Sequence, residues 1–240
     1  MWPYPTMLAH RGGGTLAPEN TIAALACGFA YGFRAVEFDV MLARDGVPVL
    51  MHDPYLGRTV AAAGHVFDYA AAELQQMDAG SWFAARFAGE PVPLFAEVAA
   101  FCQAHGIWMN IEIKPAPGFE AATGAAVASA AGRLAGAPLL SSFSETALAA
   151  AAAAAPATAR ALLFDAVPAD WLARARRLGV VAIHCNHKRL DGATAAAIKD
   201  AGLGLLCYTV NTVARARSLF AMGVDAICTD RIDLLTPDLA

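Results

Sequence analysis

Residues 180–229 read VVAIHCNHKRLDGATAAAIKDAGLGLLCYTVNTVARARSLFAMGVDAICT. Three short apolar runs, 180–185, 205–210 and 225–229, are separated by two stretches of helical length, the first rich in alanine. Gly202 and Gly223 stand between each helical stretch and the run that follows. A helix feeding a strand commonly ends on a residue with left-handed backbone, and glycine adopts that conformation without steric cost. The segment is therefore strand, helix, strand, helix, strand, the alternation that produces parallel strands joined by helical crossovers.

The same alternation extends back through the chain. Further candidate strands lie at 7–10, 35–40, 107–114, 138–142 and 160–164, and Gly32, Gly106 and Gly179 precede three of the candidate strands as Gly202 and Gly223 do. Eight strands in 240 residues predict an α/β fold, an eight-stranded parallel TIM barrel, for which about 250 residues is typical. A doubly wound open sheet has the same local rhythm, and length with strand count favours the barrel. The rhythm breaks once. An extra apolar strand at 47–51 is followed by residues 54–93, too long for an ordinary connection. The expectation is one barrel domain over 1–240 with a small subdomain at 54–93 inserted after the second barrel strand, packed by Phe67, Tyr69, Trp82, Phe83 and Phe87. Its point of attachment suggests a lid over a site; a purely structural excursion is the alternative.

Composition limits the function. A 58% hydrophobic chain with 16% charged residues has ample material for a core. A formal charge of -4 without any Lys/Arg run argues against nucleic acid and against an anionic membrane surface, so the expected partner is a small molecule. Residues 1–8 carry neither a basic nor an apolar leader segment, which predicts a cytoplasmic address. Cys27, Cys102, Cys185, Cys207 and Cys228 lack CxxC spacing and read as reduced thiols. The apolar stretch 147–164 is interrupted by Pro156 and Arg160 and reads as helix, turn and strand, with no membrane span.

The chemistry is concentrated in two strands. Side chains alternate along a strand, so Glu37 and Asp39 share a face, as do Asn110, Glu112 and Lys114. In a barrel that face is the interior, where carboxylates demand a counter-charge. Three carboxylates suit a hard divalent ion, Mg²⁺ or Ca²⁺ with Mn²⁺ also possible. An internal salt-bridge network with Lys114 and Arg11 is the competing reading. His10-Arg11 and His52-Asp53 end the first strand and the extra strand, at the carboxyl ends where barrel enzymes gather catalytic groups. The pair suggests a general acid and base across a polar substrate, with Arg11 and Lys114 holding a phosphate.

The strings AHRGGGTLAPENT at 9–21, VEFDV at 36–40, LMHDP at 50–54, NIEIKP at 110–115, LLSSF at 139–143, YTVN at 208–211 and GVDAICTD at 223–230 together resemble the glycerophosphodiester phosphodiesterase family. DAGSW at 78–82 and AIHCNHK at 182–188 bring the chain nearest the cytosolic bacterial enzyme associated with glycerol 3-phosphate uptake. The resemblance implies hydrolysis of deacylated phospholipid head-group diesters to glycerol 3-phosphate and an alcohol. It implies His10 and His52 as the acid/base pair, Glu37, Asp39 and Glu112 as metal ligands, and Arg11 and Lys114 as phosphate contacts. Glu19 and Asn20 fall on its PENT turn, in a supporting or a contacting role, and Tyr208 replaces a common tryptophan as an aromatic wall of the glycerol pocket. Two rival functions share these features: a membrane-acting phospholipase of the same barrel type, which requires an apolar or basic rim, and a non-catalytic phosphodiester-binding protein, which requires a missing catalytic group.

Overall fold

The computed structural model describes residues 2–239. Eight parallel strands close into a barrel: β1 (Met7–Ala9), β2 (Ala35–Leu42), β4 (Trp108–Ile113), β5 (Leu139–Ser142), β6 (Ala159–Phe164), β7 (Ala182–Asn186), β8 (Gly204–Tyr208) and β9 (Ala226–Thr229), with β9 pairing back to β1 and β1 to β2. The extra strand β3 (Pro48–Leu50) lies antiparallel on β2. Each predicted strand is present within two residues of its expected ends, and Gly32, Gly106, Gly179, Gly202 and Gly223 all have positive φ. The outer layer consists of α1 (Ile22–Ala30), α3 (Phe95–Ala104), α4 (Glu120–Ala131), α5 (Glu145–Ala154), α6 (Trp171–Leu178), α7 (Gly192–Asp200) and α8 (Val213–Ala221); α2 (Ala71–Leu74) is a single turn in the 54–93 segment. Thr21, Ser144, Asp191 and Thr212 start α1, α5, α7 and α8, each side chain accepting a hydrogen bond from a first-turn N–H.

The strands are buried on both faces, and the two faces differ. Val36, Phe38 and Val40 of β2 and Ile111 and Ile113 of β4 belong to the main core between sheet and helices. The intervening residues point into the barrel. At the amino-terminal end of the strands, Ala161, Ala182 and Gly204 are small, and the Trp2 ring fills the space; a Cβ at Gly204 would lie 2.5 Å from it. Tyr4 stacks on Trp108 beside Trp2, with ring centroids 4.7 Å apart. This end is packed shut, which leaves the carboxyl end for chemistry.

Residues 54–93 contribute to a second apolar core in which Val60, Val66, Leu74 and Val92 pack against Met41, Val49 and Met51. Phe67 stacks on Phe119 at 4.9 Å and Phe83 contacts Phe87 edge-on. The 147–164 stretch divides into α5, a turn after Pro156 and β6, and no helix of the described residues is long and apolar enough to cross a membrane.

Helices α4 and α5 approach so closely that a Cβ at Gly124 would sit 2.2 Å from the Ala147 carbonyl oxygen. Gly124→Ala must push the two helices apart, and such overpacking costs about 1–3 kcal/mol. The variant is expected to melt several degrees below the parent in a thermal unfolding scan; an unchanged melting temperature would show that the helices part without cost.

Candidate active site

Parallel pairing of β2 with β4 sets Glu37 opposite Asn110 and Asp39 opposite Glu112. Oxygens of Glu37, Asp39 and Glu112 lie within 4.8 Å of one another, and all three residues are buried. Burial, together with the charge of Asp39, pushes Glu37 up to about 7 and Glu112 up to about 8. Burial opposes ionisation of Asp39 too, but Lys114 and Arg11 hold it below the usual carboxylate range.

The two histidines are oriented alike. His10 Nδ1 donates to Asp230 Oδ1 at 2.6 Å, and His52 Nδ1 donates to Asp53 Oδ1 at 2.6 Å. Each carboxylate fixes one tautomer and leaves Nε2 to work; His10 Nε2 lies 3.8 Å from Glu37. Their electrostatic settings differ. Burial disfavours the charged form of His10, yet the bond to Asp230 and the charge of Glu37 raise its pKa overall. Burial lowers the pKa of His52, Arg11 and Lys114 act in the same direction, and Asp39 and Asp53 oppose them without restoring the ordinary value.

Lys114 Nζ lies 3.0 Å from Glu112 and 3.4 Å from Asp39. Arg11 donates from Nη1 to Glu19 at 2.7 Å, and its Nε is 3.5 Å from Asp39. Glu19 also receives both terminal nitrogens of Arg58 at 2.8 and 2.7 Å, and Arg58 Nε pairs with Asp53. Glu19 thus ties Arg11 to the 54–93 segment. Asn20 is buried and committed to Asp39: its Nδ2 donates to Oδ2 at 2.9 Å and its Oδ1 accepts from the Asp39 N–H at 3.1 Å. Neither Glu19 nor Asn20 lines the main cavity, although Glu19 borders the neighbouring one beside His10 and Arg11. Tyr208 does line it, with its hydroxyl donating to the Phe164 carbonyl at 2.8 Å.

That cavity, about 270 Å³, brings together His10, Arg11, Glu37, Asp39, His52, Glu112, Lys114 and Tyr208 with Phe143, Asn110 and His184. A second cavity of about 430 Å³ continues past His10, Arg11 and Asp230 to Trp82 and Phe83 of the insertion.

The sequence pattern of the glycerophosphoryl diester phosphodiesterase family matches residues 10–234. The glycerophosphodiester phosphodiesterase of Caldanaerobacter subterraneus is 30% identical over 93% of each chain, and YhdW of Bacillus subtilis is 31% identical over 97% of each. Among solved structures, an Oleispira antarctica phosphodiesterase in complex with the product sn-glycerol-3-phosphate is similar at a TM-score of 0.90 and 36% identity, covering 94% of this chain and 93% of that one. The chain belongs to the glycerophosphoryl diester phosphodiesterase family. It is a glycerophosphodiester phosphodiesterase, a phosphoric diester hydrolase on a TIM barrel.

The acidic cluster of this phosphodiesterase fits a divalent cation. Lys114 and Arg11 supply two positive charges against three carboxylates, and both are directed to Asp39 and to Glu112 or Glu19. Glu37 is left with a backbone N–H from Arg11 at 3.2 Å and with His10. The ion-pair network is therefore present and insufficient, and an all-oxygen donor set of this kind suits Mg²⁺, Ca²⁺ or Mn²⁺. Sequence reasoning missed Asp230 and Asn211. Asn211 Nδ2 donates to Asp230 Oδ2 at 3.0 Å and its Oδ1 accepts from the Asp230 N–H at 2.9 Å, fixing the carboxylate that fixes His10. Both residues sit just past strand ends, in YTVN and GVDAICTD, a position that could have flagged them.

Asp230→Asn keeps the shape of the side chain but removes the charge that holds the His10 tautomer. The variant is expected to lose about a hundredfold or more in kcat, the usual contribution of one acid/base group. Steady-state kinetics beside an unchanged thermal melt check this; a parent-like kcat would assign the pair to stability alone.

Proposed function

We propose that this enzyme cleaves glycerophosphodiesters by metal-dependent, substrate-assisted hydrolysis, with His10 and His52 as the acid/base pair. The observation that carries the reading is the convergence on one cavity of two histidines, each with Nδ1 held by a carboxylate, and three buried carboxylates. Glu37, Asp39 and Glu112 would hold one Mg²⁺ or Ca²⁺ ion, with Mn²⁺ an acceptable replacement, and Asn20 orients Asp39. The ion supplies charge neutralisation for the phosphodiester and its transition state. Arg11 and Lys114 flank these carboxylates and offer their remaining donors to the phosphate oxygens.

No serine, threonine or cysteine adjoins the histidines in a nucleophile motif of the sequence, and Cys228, whose Sγ lies within 4.8 Å of His10 and Glu37, is kept a protonated thiol by burial, which pushes its pKa well above the ordinary value. Ser142 donates to the Ile113 carbonyl and serves the β5 end as structure. The attacking group is then the glycerol 2-hydroxyl, already tethered near phosphorus, which gives it the entropic advantage of an intramolecular reaction. One histidine takes its proton through Nε2 and the other protonates the leaving alkoxide; the resulting cyclic phosphate is opened by water with the roles exchanged. Residues 54–93 act as a lid within a single domain, an assignment supported by the Arg58–Glu19 and Arg58–Asp53 pairs at the rim. The free thiols at all five cysteines, four of them buried, support a reducing cytoplasmic setting.

Two measurements test this. Chelation is expected to abolish release of sn-glycerol 3-phosphate from glycerophosphocholine, with Mg²⁺, Ca²⁺ or Mn²⁺ restoring it; full turnover by verified metal-free enzyme would sink the metal assignment. A glycerophosphocholine analogue lacking only the 2-hydroxyl should still bind, seen as competitive inhibition, and turn over at least a hundredfold more slowly. Cleavage of that analogue at a kcat comparable to the parent would replace the tethered hydroxyl with direct attack by water.

A further inference from the structure

The catalytic reading accounts for the rim of the main cavity and leaves its deeper layer unexplained. Asn110 lies one side-chain layer below Glu112 on β4, because residues two apart share a strand face. His184 stands at the middle of β7, and the pairing of β6, β7 and β8 sets it in a row with Leu163 and Leu206. All four residues border the cavity. His184 is 1% exposed and Asn110 is 2% exposed. Neither His184 Nε2 nor Asn110 Oδ1 has a hydrogen-bond partner.

Buried polar atoms are ordinarily satisfied, and an imidazole between two leucines would be better replaced by a third apolar side chain if packing were its only task. Burial alone drives the His184 pKa down to about 3, so at working pH the ring is neutral and offers one donor and one acceptor. Asn110 Oδ1 is an acceptor. A donor on one wall, an acceptor on another and aliphatic carbon between them are the complement of an alcohol, whose hydroxyl both donates and accepts. An anion would be repelled by Asn110 Oδ1, and a metal ion would find too few ligands, since His184 belongs to neither group of three or more His, Cys, Asp or Glu donors among the described residues. We infer that His184 and Asn110 form a hydroxyl-reading site that binds the terminal hydroxyl of the glycerol moiety and selects glycerol-bearing diesters. Leu163, Leu206 and the ring of Tyr208 cover the carbon chain, and the Tyr208 hydroxyl, already given to Phe164, takes no part.

This inference rests on the proposed reaction, in which the 2-hydroxyl is engaged at the rim and only the terminal hydroxyl remains free to reach the deeper layer. Its test uses the Mg²⁺-loaded enzyme and two competitive inhibitors, sn-glycerol 3-phosphate and propane-1,2-diol 1-phosphate of matching configuration, which lacks only the terminal hydroxyl. The parent enzyme should prefer the first by roughly five- to tenfold, the range of a neutral hydrogen bond. His184→Leu should reduce this preference to under twofold, whereas His184→Gln, which keeps a donor and an acceptor, should retain most of it. Thermal melts establish that each variant is folded, and a ratio of two inhibition constants is insensitive to the fraction of active enzyme. If the parent does not discriminate, or if His184→Leu discriminates as the parent does, the site is not a hydroxyl reader. Failure of the phosphodiesterase reading itself would appear separately, as absence of glycerophosphocholine turnover in the parent.

Discussion

Repulsion among Glu37, Asp39 and Glu112 is the constraint on which the carboxyl end of this barrel depends. At separations under 4.8 Å each pair of full charges costs about 3.5 kcal/mol or more at an effective dielectric near 20, and three pairs together approach the whole stability of a folded domain. The surroundings answer that cost in sequence. Asn20 gives Asp39 two hydrogen bonds, Lys114 bridges Asp39 and Glu112, and Arg11 brings its guanidinium to Asp39 and its backbone N–H to Glu37. Two cations against three carboxylates leave a remainder, and burial first and this remainder second raise the pKa values of Glu37 and Glu112. The same remainder makes this cluster one that could hold a metal ion.

The constraint propagates outward through arginine. Arg11 cannot serve Asp39 unless it is held, and Glu19 holds it; Glu19 is held in turn by Arg58, which also pairs with Asp53, the carboxylate that orients His52. One chain of charges therefore links the acid cluster, the second histidine and the 54–93 segment. The insertion is anchored electrostatically at the point where it meets the site, while its own apolar core packs against β2 and β3.

The barrel was legible because helix-to-strand joints leave a local mark. Gly32, Gly106, Gly179, Gly202 and Gly223 occupy left-handed positions that only local chain geometry demands, and the apolar runs after them needed no knowledge of their neighbours. The acid cluster was legible for a related reason: alternation within β2 and β4 aims Glu37, Asp39 and Glu112 inward whatever the rest of the chain does. Asp230 was less visible because its partner lies 220 residues away, and nothing local distinguishes a carboxylate that orients a histidine from one that meets solvent. The packing of Trp2 against Gly204 is non-local in the same sense, since a glycine in a strand announces close approach without saying by what.

Closing one end of the barrel is what permits a polar interior at the other. Trp2, Tyr4 and Trp108 pack over the small residues Ala161, Ala182 and Gly204, so aromatic rings close the amino-terminal end and limit the entry of water from below. Water excluded from below strengthens every charge interaction above, which raises the cost of the bare carboxylates and equally the value of any cation or phosphate contact that neutralises them. His184 stands between the two regimes. It is too deep to be charged and too polar to be mere packing, and its Trp2 neighbour, ring centroids 6.4 Å away, shields it from the solvent side. A neutral ring in that place lets the enzyme engage an uncharged portion of its substrate below a site built for charged ones, without adding a charge that the carboxylates would have to accommodate.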